Sequence, residues 1–188
     1  MIIRLYKQAR RNIAEDGLII RSSRFLVREM IQHIDFSENL HILEVGSGKG
    51  VFTRELAKKM TPGSRLDVCE IKPNYNPWIN RIINVYNNKQ IKLYNRCVTE
   101  IWELPHQYDV ILSSLPLKNF ENPADNNAFL HRVVKGFEKN LKPGGVFLQY
   151  QYFQSNRKHI ENAFGKKMNG ISFVPLNILP AFVYSMTK

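Results

Sequence analysis

Residues 40–50 read Leu-His-Ile-Leu-Glu-Val-Gly-Ser-Gly-Lys-Gly, and this stretch decides the fold. Ile42, Leu43 and Val45 form a short apolar run that breaks into Gly46, Gly48 and Gly50. After it, Val51, Phe52, Leu56 and Ala57 recur at helical spacing. A buried strand, a tight glycine turn and a helix together make the opening unit of a nucleotide-binding α/β sheet. Glycine lets the backbone bend sharply and admits a ligand where a Cβ would collide. The free N–H groups of the helix N-terminus point into the same space. A phosphate-binding P-loop needs Ser or Thr directly after Gly-Lys, but Gly50 follows Lys49. The dinucleotide pattern GxGxxG fails too, because the third glycine comes too early.

Working outward, the chain alternates strand and helix, which predicts a mainly parallel sheet with helices on both faces. Ser22 or Ser23 can cap a helix carrying Phe25, Leu26, Met30, Ile31 and Ile34 on one side. A helix over residues 51–60 stops at Thr61-Pro62-Gly63 and leads into a strand over 65–70. Pro73 and Pro77 break the chain before a helix over 78–86, and a third strand follows at 91–94. A fourth strand, 108–113, runs into Ser114-Leu115-Pro116-Leu117. A long helix over 126–141 ends at Lys142-Pro143-Gly144-Gly145, and a fifth strand covers 146–153. A basic helix at 157–164 and β segments at 171–174 and 181–186 close the chain. No internal repeat or low-complexity tract interrupts this order.

At 188 residues the chain is one domain with a single substantial core. The formal charge of +11 is uneven. Residues 1–28 hold seven Lys and Arg against two acids, and residues 154–188 hold five against one. The body is nearly neutral and both ends are basic, which directs a polyanionic partner, nucleic acid or an anionic lipid surface, to the termini. Residues 1–14 read as a helix with Ile2, Leu5, Tyr6, Ala9 and Ile13 on one face and Arg4, Lys7, Arg10 and Arg11 on another. Such a segment either lies in a membrane headgroup region or covers the core with its charges solvated. Residues 1–16 are accordingly set apart as a basic amphipathic N-terminal helix, and 17–188 as one domain. Cys69 and Cys97 have no metal-ligand spacing and read as reduced core thiols of a cytosolic protein. The histidines form no ligand spacing, so no metal site is expected, and no apolar run is long enough to span a bilayer.

Glu44 before GxGxG, a second acid at Glu70 after the next strand, and Leu-Lys-Pro-Gly-Gly before a later strand resemble the class I S-adenosylmethionine (SAM) methyltransferases. The resemblance covers about residues 22–188. It implies a Rossmann-like α/β fold with a seven-stranded, mostly parallel sheet in the order 3-2-1-4-5-7-6, and SAM as cofactor. The Glu70 carboxylate offers two acceptor oxygens to the ribose hydroxyls. The cofactor site implied comprises Ser23, Glu44, Gly46, Ser47, Gly48, Gly50, Glu70, Ile71, Arg96, Cys97 and Ser113. After the third strand such enzymes usually offer an acid to the adenine amine; here Asn95-Arg96-Cys97 stands instead, so either a backbone carbonyl or Asn95 substitutes or SAM affinity is reduced.

Ser113-Ser114-Leu115-Pro116-Leu117 is similar to the Ser-Gly-Leu-Pro-Leu segment of bacterial phospholipid N-methyltransferases, which methylate phosphatidylethanolamine. Ser22-Ser23-Arg24, Gly50-Val51-Phe52-Thr53 and the closing Asn177-Ile178-Leu179-Pro180-Ala181-Phe182-Val183-Tyr184 resemble the same family in order. The related rRNA adenine dimethylase group resembles Asn/Asp-Leu/Pro-Pro-Tyr/Phe at this point, where the aromatic stacks on a flipped base. Ser114 and Leu117 occupy those positions, which favours a lipid amine. The expected activity is therefore methyl transfer to a phosphatidylethanolamine-type amine at a membrane surface. The alternatives are an RNA methyltransferase, or an inactive SAM-fold binding protein. Ser114, Leu115 and Pro116 are the candidate catalytic residues, and Arg24, Tyr150 and Tyr152 the candidate substrate contacts. Lys118, Arg157 and Lys158 are weaker candidates for the headgroup phosphate. Tyr150 and Tyr152 alternate with Gln149 and Gln151, so one of the two sets should reach the cleft.

Overall fold

A computed structural model describes residues 22–102 and 107–188. The helix expected over residues 1–16 lies outside the described residues. Seven strands, β1 (His41–Val45), β2 (Arg65–Cys69), β3 (Gln90–Tyr94), β4 (Tyr108–Ser113), β5 (Leu141–Gln151), β6 (Gly170–Val174) and β7 (Ala181–Thr187), form one sheet. Its order is β3-β2-β1-β4-β5-β7-β6, as the resemblance implied. The β1–β2, β1–β4, β2–β3 and β4–β5 pairs are parallel, and β7 runs antiparallel to both β5 and β6.

The helices are α1 (Arg24–Ile31), α2 (Val51–Lys59), α3 (Asn76–Val85), α4 (Val98–Ile101), α5 (Ala128–Asn140) and α6 (Arg157–Phe164). Helices α1, α2 and α3 bury Leu26, Met30, Phe52, Leu56 and Ile79 on one face of the sheet. Helices α4, α5 and α6 bury Ile101, Val133, Phe137, Ile160 and Phe164 on the other. The central strands are apolar on both sides because both sides are covered, as parallel sheets require. The βα connections of the parallel half leave from the carboxyl ends of β1, β2, β3 and β4, and these ends frame the cleft.

Several boundaries differ from the sequence reading, each for a local reason. Pro77 does not break α3 but sits in its first turn, where its missing N–H costs nothing, so the helix starts at Asn76. Helix α5 starts at Ala128 because Asn126 (φ 56°) and Asn127 (φ 60°) take left-handed conformations that asparagine tolerates. Residues 142–145, expected as a turn, are carried within β5, where the register passes from Tyr108 opposite Leu141 to Val110 opposite Val146. Phe25, placed on the apolar side of α1, is exposed, while Val27 takes the buried position.

Candidate active site

The cleft starts with the glycine turn. Gly46 (φ 76°), Gly48 (φ 51°) and Gly50 (φ 74°) all take left-handed conformations. A Cβ on Gly50 would lie 2.5 Å from Ile82 Cδ1 and 2.8 Å from Ile79 Cδ1, so this glycine lets α2 start hard against α3. Among the described residues nothing stands within 4 Å of a Cβ placed on Gly48, which leaves the turn open to a ligand. The Gly46 N–H donates to the Cys69 carbonyl at 2.9 Å and ties the turn to the end of β2.

Glu70, one residue past β2, is buried. Its Oε2 accepts from the Gly48 N–H at 2.8 Å and its Oε1 from the Lys72 N–H at 2.9 Å. Each oxygen keeps a further lone pair, so the carboxylate is fixed in place and still able to accept from a diol. Asn95 donates from Nδ2 to the Glu70 carbonyl at 2.7 Å, and its Oδ1 faces Asn76 Nδ2 at 3.4 Å. The Asn95 side chain is thus committed to bracing the β2 end. Ile71, the next residue after Glu70, is largely exposed and forms an apolar flank to that site.

Glu44 supports the turn from beneath. Fully buried, it accepts from Thr53 Oγ1 at 2.6 Å through Oε2, while its Oε1 has no partner. Burial pushes its carboxyl up to about 7, with the Thr53 hydrogen bonds opposing and the Glu70 charge adding to the rise. The Ser47 hydroxyl above it is also buried without a partner.

Arg96 and Cys97 lie at the end of β3. The exposed Arg96 guanidinium stands 5.9 Å over the Tyr94 ring, and its carbonyl accepts from the Cys69 thiol at 3.3 Å. Cys97 is not a core thiol but the N-cap of α4, with its N–H donating to Glu100 Oε1 at 3.2 Å. Cys69 is the buried one, and burial raises its thiol to about 12, which leaves it inert.

On the other side of the cleft the turn after β4 carries Ser114, Leu115 and Pro116. The Ser114 N–H donates to the Val45 carbonyl at 2.8 Å, and a Cβ on Gly46 would touch Leu115 Cδ2 at 3.4 Å, so this turn rests against the glycine turn. Ser113 is fully buried, with Oγ accepting from the Leu115 N–H at 3.3 Å. Pro116 leads into a short 3-10 turn, Leu117–Phe120. The Leu115 carbonyl accepts from the Leu117 N–H at 2.8 Å, Gln149 Nε2 at 3.0 Å and Gln151 Nε2 at 3.3 Å. Two glutamines of β5 therefore lock the turn, a role that their alternation with the tyrosines hinted at but did not assign. Leu117 is fully buried in the core and does not face the cleft.

Tyr150 and Tyr152 point to the opposite face of β5. Burial raises the Tyr150 phenol, opposed by its polar neighbours Ser22, Tyr152 and Ser114. Burial, then Tyr150, raises the Tyr152 phenol, with Asn177 opposing. Four hydroxyls thus converge where β5 ends beside α1. The Ser114 and Tyr152 oxygens are buried without a partner of hydrogen-bonding geometry, so this cluster has polar capacity to spare. Ser23 caps α1, its Oγ accepting from the Leu26 N–H at 3.2 Å, and its N–H donates to Asn177 Oδ1 at 2.9 Å. Arg24 is exposed, with its guanidinium 4.9 Å from the Phe25 ring centroid. Lys118 and Arg157 are held in ion pairs with Glu121 and Glu161, whereas Lys158 is exposed.

A family profile described as a methyltransferase domain matches residues 7–176. The chain belongs to this methyltransferase domain family. SAM is its cofactor, and the residues fit it: an open glycine turn, a fixed carboxylate with spare acceptor capacity, and buried hydroxyls at Ser47 and Ser114 left without partners. The methyltransferase is 28% identical over 166 residues to the ornithine lipid N-methyltransferase of Singulisphaera acidiphila, covering 87% of this chain and 83% of that protein. The precorrin-6y C5,15-methyltransferase of Geobacter metallireducens has the same fold, with a TM-score of 0.72 at 12% identity over 90% of each chain. TrmN from Thermus thermophilus gives 0.65 at 14% identity over 87% of the methyltransferase, which spans 48% of that chain. Among the described residues no helix is long and apolar enough to cross a membrane, and no group of three or more His, Cys, Asp or Glu could hold a metal ion.

Proposed function

We propose that the methyltransferase transfers methyl groups to the primary amine of a phosphatidylethanolamine-type membrane lipid. The observation that carries the lipid step is the 28% identity to a lipid N-methyltransferase along 83% of that protein. The polar cluster at the end of β5 supports it: the Ser114 and Tyr152 hydroxyls are buried without partners beside Tyr150.

When bound, SAM supplies an electrophilic methyl group on a sulfonium. We assign Gly46, Ser47, Gly48, Gly50, Glu70 and Ile71 to hold it, with Ser23, Arg96, Cys97 and Ser113 around its edge and Glu44 bracing the turn from below. The protein's own part is alignment and drying, since orientation is the main lever for a direct displacement. The attacking amine must be neutral, because an ammonium has no lone pair, and a water-poor chamber favours the neutral form. Ser114 has a free hydroxyl to accept the amine N–H, and Leu115 and Pro116 fix its approach because Gln149 and Gln151 hold their turn. Arg24, at the mouth, is assigned to the headgroup phosphate.

Methyl-labelled SAM and vesicles containing phosphatidylethanolamine test this reading. Label should enter the lipid; label found only in added RNA would point to the RNA alternative and end the lipid reading.

A further inference from the structure

The carboxyl edge of the sheet carries an unusual share of exposed apolar side chains. Strands β5 and β6 end there and the antiparallel β7 begins there, so residues 175–180 lie on the same edge as the Ser114 turn and the glycine turn. This connection reads Pro-Leu-Asn-Ile-Leu-Pro, with no charge, and Leu176 and Ile178 are 63% and 67% exposed. Phe25 at the start of α1 and Phe153 after β5 are 40% and 42% exposed on the same side. Single exposed apolar residues are ordinary, but a group around one cleft mouth marks a contact surface.

The group is held rigidly. Between Leu176 and Ile178, the buried Asn177 accepts from the Ser23 N–H at 2.9 Å and donates to the Leu179 carbonyl at 2.9 Å. The two aliphatic side chains are therefore fixed outward on either side of an anchored amide. Cations are interleaved with the rim: Arg24 stands over Phe25, and Lys49 stands 5.4 Å from the Trp78 ring on the cofactor side. Neither residues 22–28 nor residues 152–156 contain an acid. Apolar side chains that can enter the acyl boundary, beside the Arg24 and Lys49 cations, suit an anionic bilayer.

We infer that this rim, Leu176 and Ile178 with Phe25 and Phe153, seats the methyltransferase on an anionic membrane with the cleft facing the headgroups. The inference rests on the lipid reading above and assigns the contact to a surface separate from residues 1–16. The test uses the full chain carrying Leu176→Ser and Ile178→Ser, with Ile178→Ser alone as the milder variant. Vesicles of phosphatidylethanolamine and phosphatidylglycerol are sedimented with each. The double variant should lose about tenfold in vesicle partitioning and the single variant about threefold. SAM affinity by calorimetry, and methyl transfer to a short-chain phosphatidylethanolamine dissolved as monomer, should not change. A double variant that sediments like the parent, or a parent chain that binds no vesicles, overturns the seat. So does a rim variant without effect beside a deletion of residues 1–16 that abolishes binding. Vesicle binding that depends on the rim but brings no lipid labelling refutes the substrate reading alone and leaves the seat supported.

Discussion

The cofactor side and the acceptor side of the cleft differ in what holds them. On the cofactor side main-chain groups are fixed by one another, by one carboxylate and by one amide: Gly46 to Cys69, Gly48 and Lys72 to the Glu70 carboxylate, and the Glu70 carbonyl to the Asn95 side chain. On the acceptor side two main-chain bonds, Ser114 to Val45 and Leu117 to Leu115, are joined by side chains. Gln149 and Gln151 grip the Leu115 carbonyl, while Ser114 and Tyr152 keep hydroxyls without partners. A site built from backbone suits a ligand that never changes. A chamber built from side chains can be altered for a new acceptor without disturbing the sheet.

This contrast breaks most sharply at Glu70. Glu70→Ala should weaken SAM binding several hundredfold by calorimetry, because two charge-assisted hydrogen bonds and the anchor of Gly48 vanish together, about 3–4 kcal/mol. Next comes Glu44. Its carboxyl stays protonated in the folded chain up to about 7, whereas the unfolded chain releases the proton near the ordinary 4.5. Between these values the folded state binds more protons, so stability falls as pH rises, by an amount on the order of 3 kcal/mol. Glu44→Gln should remove that slope, seen as a melting temperature that no longer drops from pH 5 to pH 7.

On the acceptor side, Gln149→Leu takes one of three donors from the Leu115 carbonyl. The turnover number should fall about tenfold with SAM affinity nearly unchanged, because only alignment is lost. A comparable loss of SAM binding would show that the two sides are not separable. The smallest effect is expected at Cys97→Asp. Aspartate is a good N-cap for α4 and offers an acceptor to the adenine amine, so SAM should bind about threefold tighter.

What was legible in the sequence follows the same division. The glycine turn and Glu70 could be read because backbone geometry demands particular residues at fixed spacing, and the strand order came with the family resemblance that they carry. Gln149 could not be read in the same way, since its partner carbonyl lies 34 residues away and any polar strand residue looks alike before the sheet forms. Leu117 was weighed as a position facing the acceptor, yet the 3-10 turn after Pro116 rotates it into the core. Pro77 looked like a break because a proline's meaning depends on whether the helix starts before or after it. Thr53 and Asn177 were read only as parts of motifs, and their partners stayed hidden for the same reason as that of Gln149: each satisfies a group brought close only by tertiary packing.

Asn177 also constrains the length of the chain around it. Its amide spans from the start of α1 to the β6–β7 connection, 154 positions apart in sequence. Adding or removing one residue on either side of it would turn the amide away from Ser23 and leave two buried polar groups unsatisfied. Relatives that keep this clip should keep the hairpin's spacing to the residue.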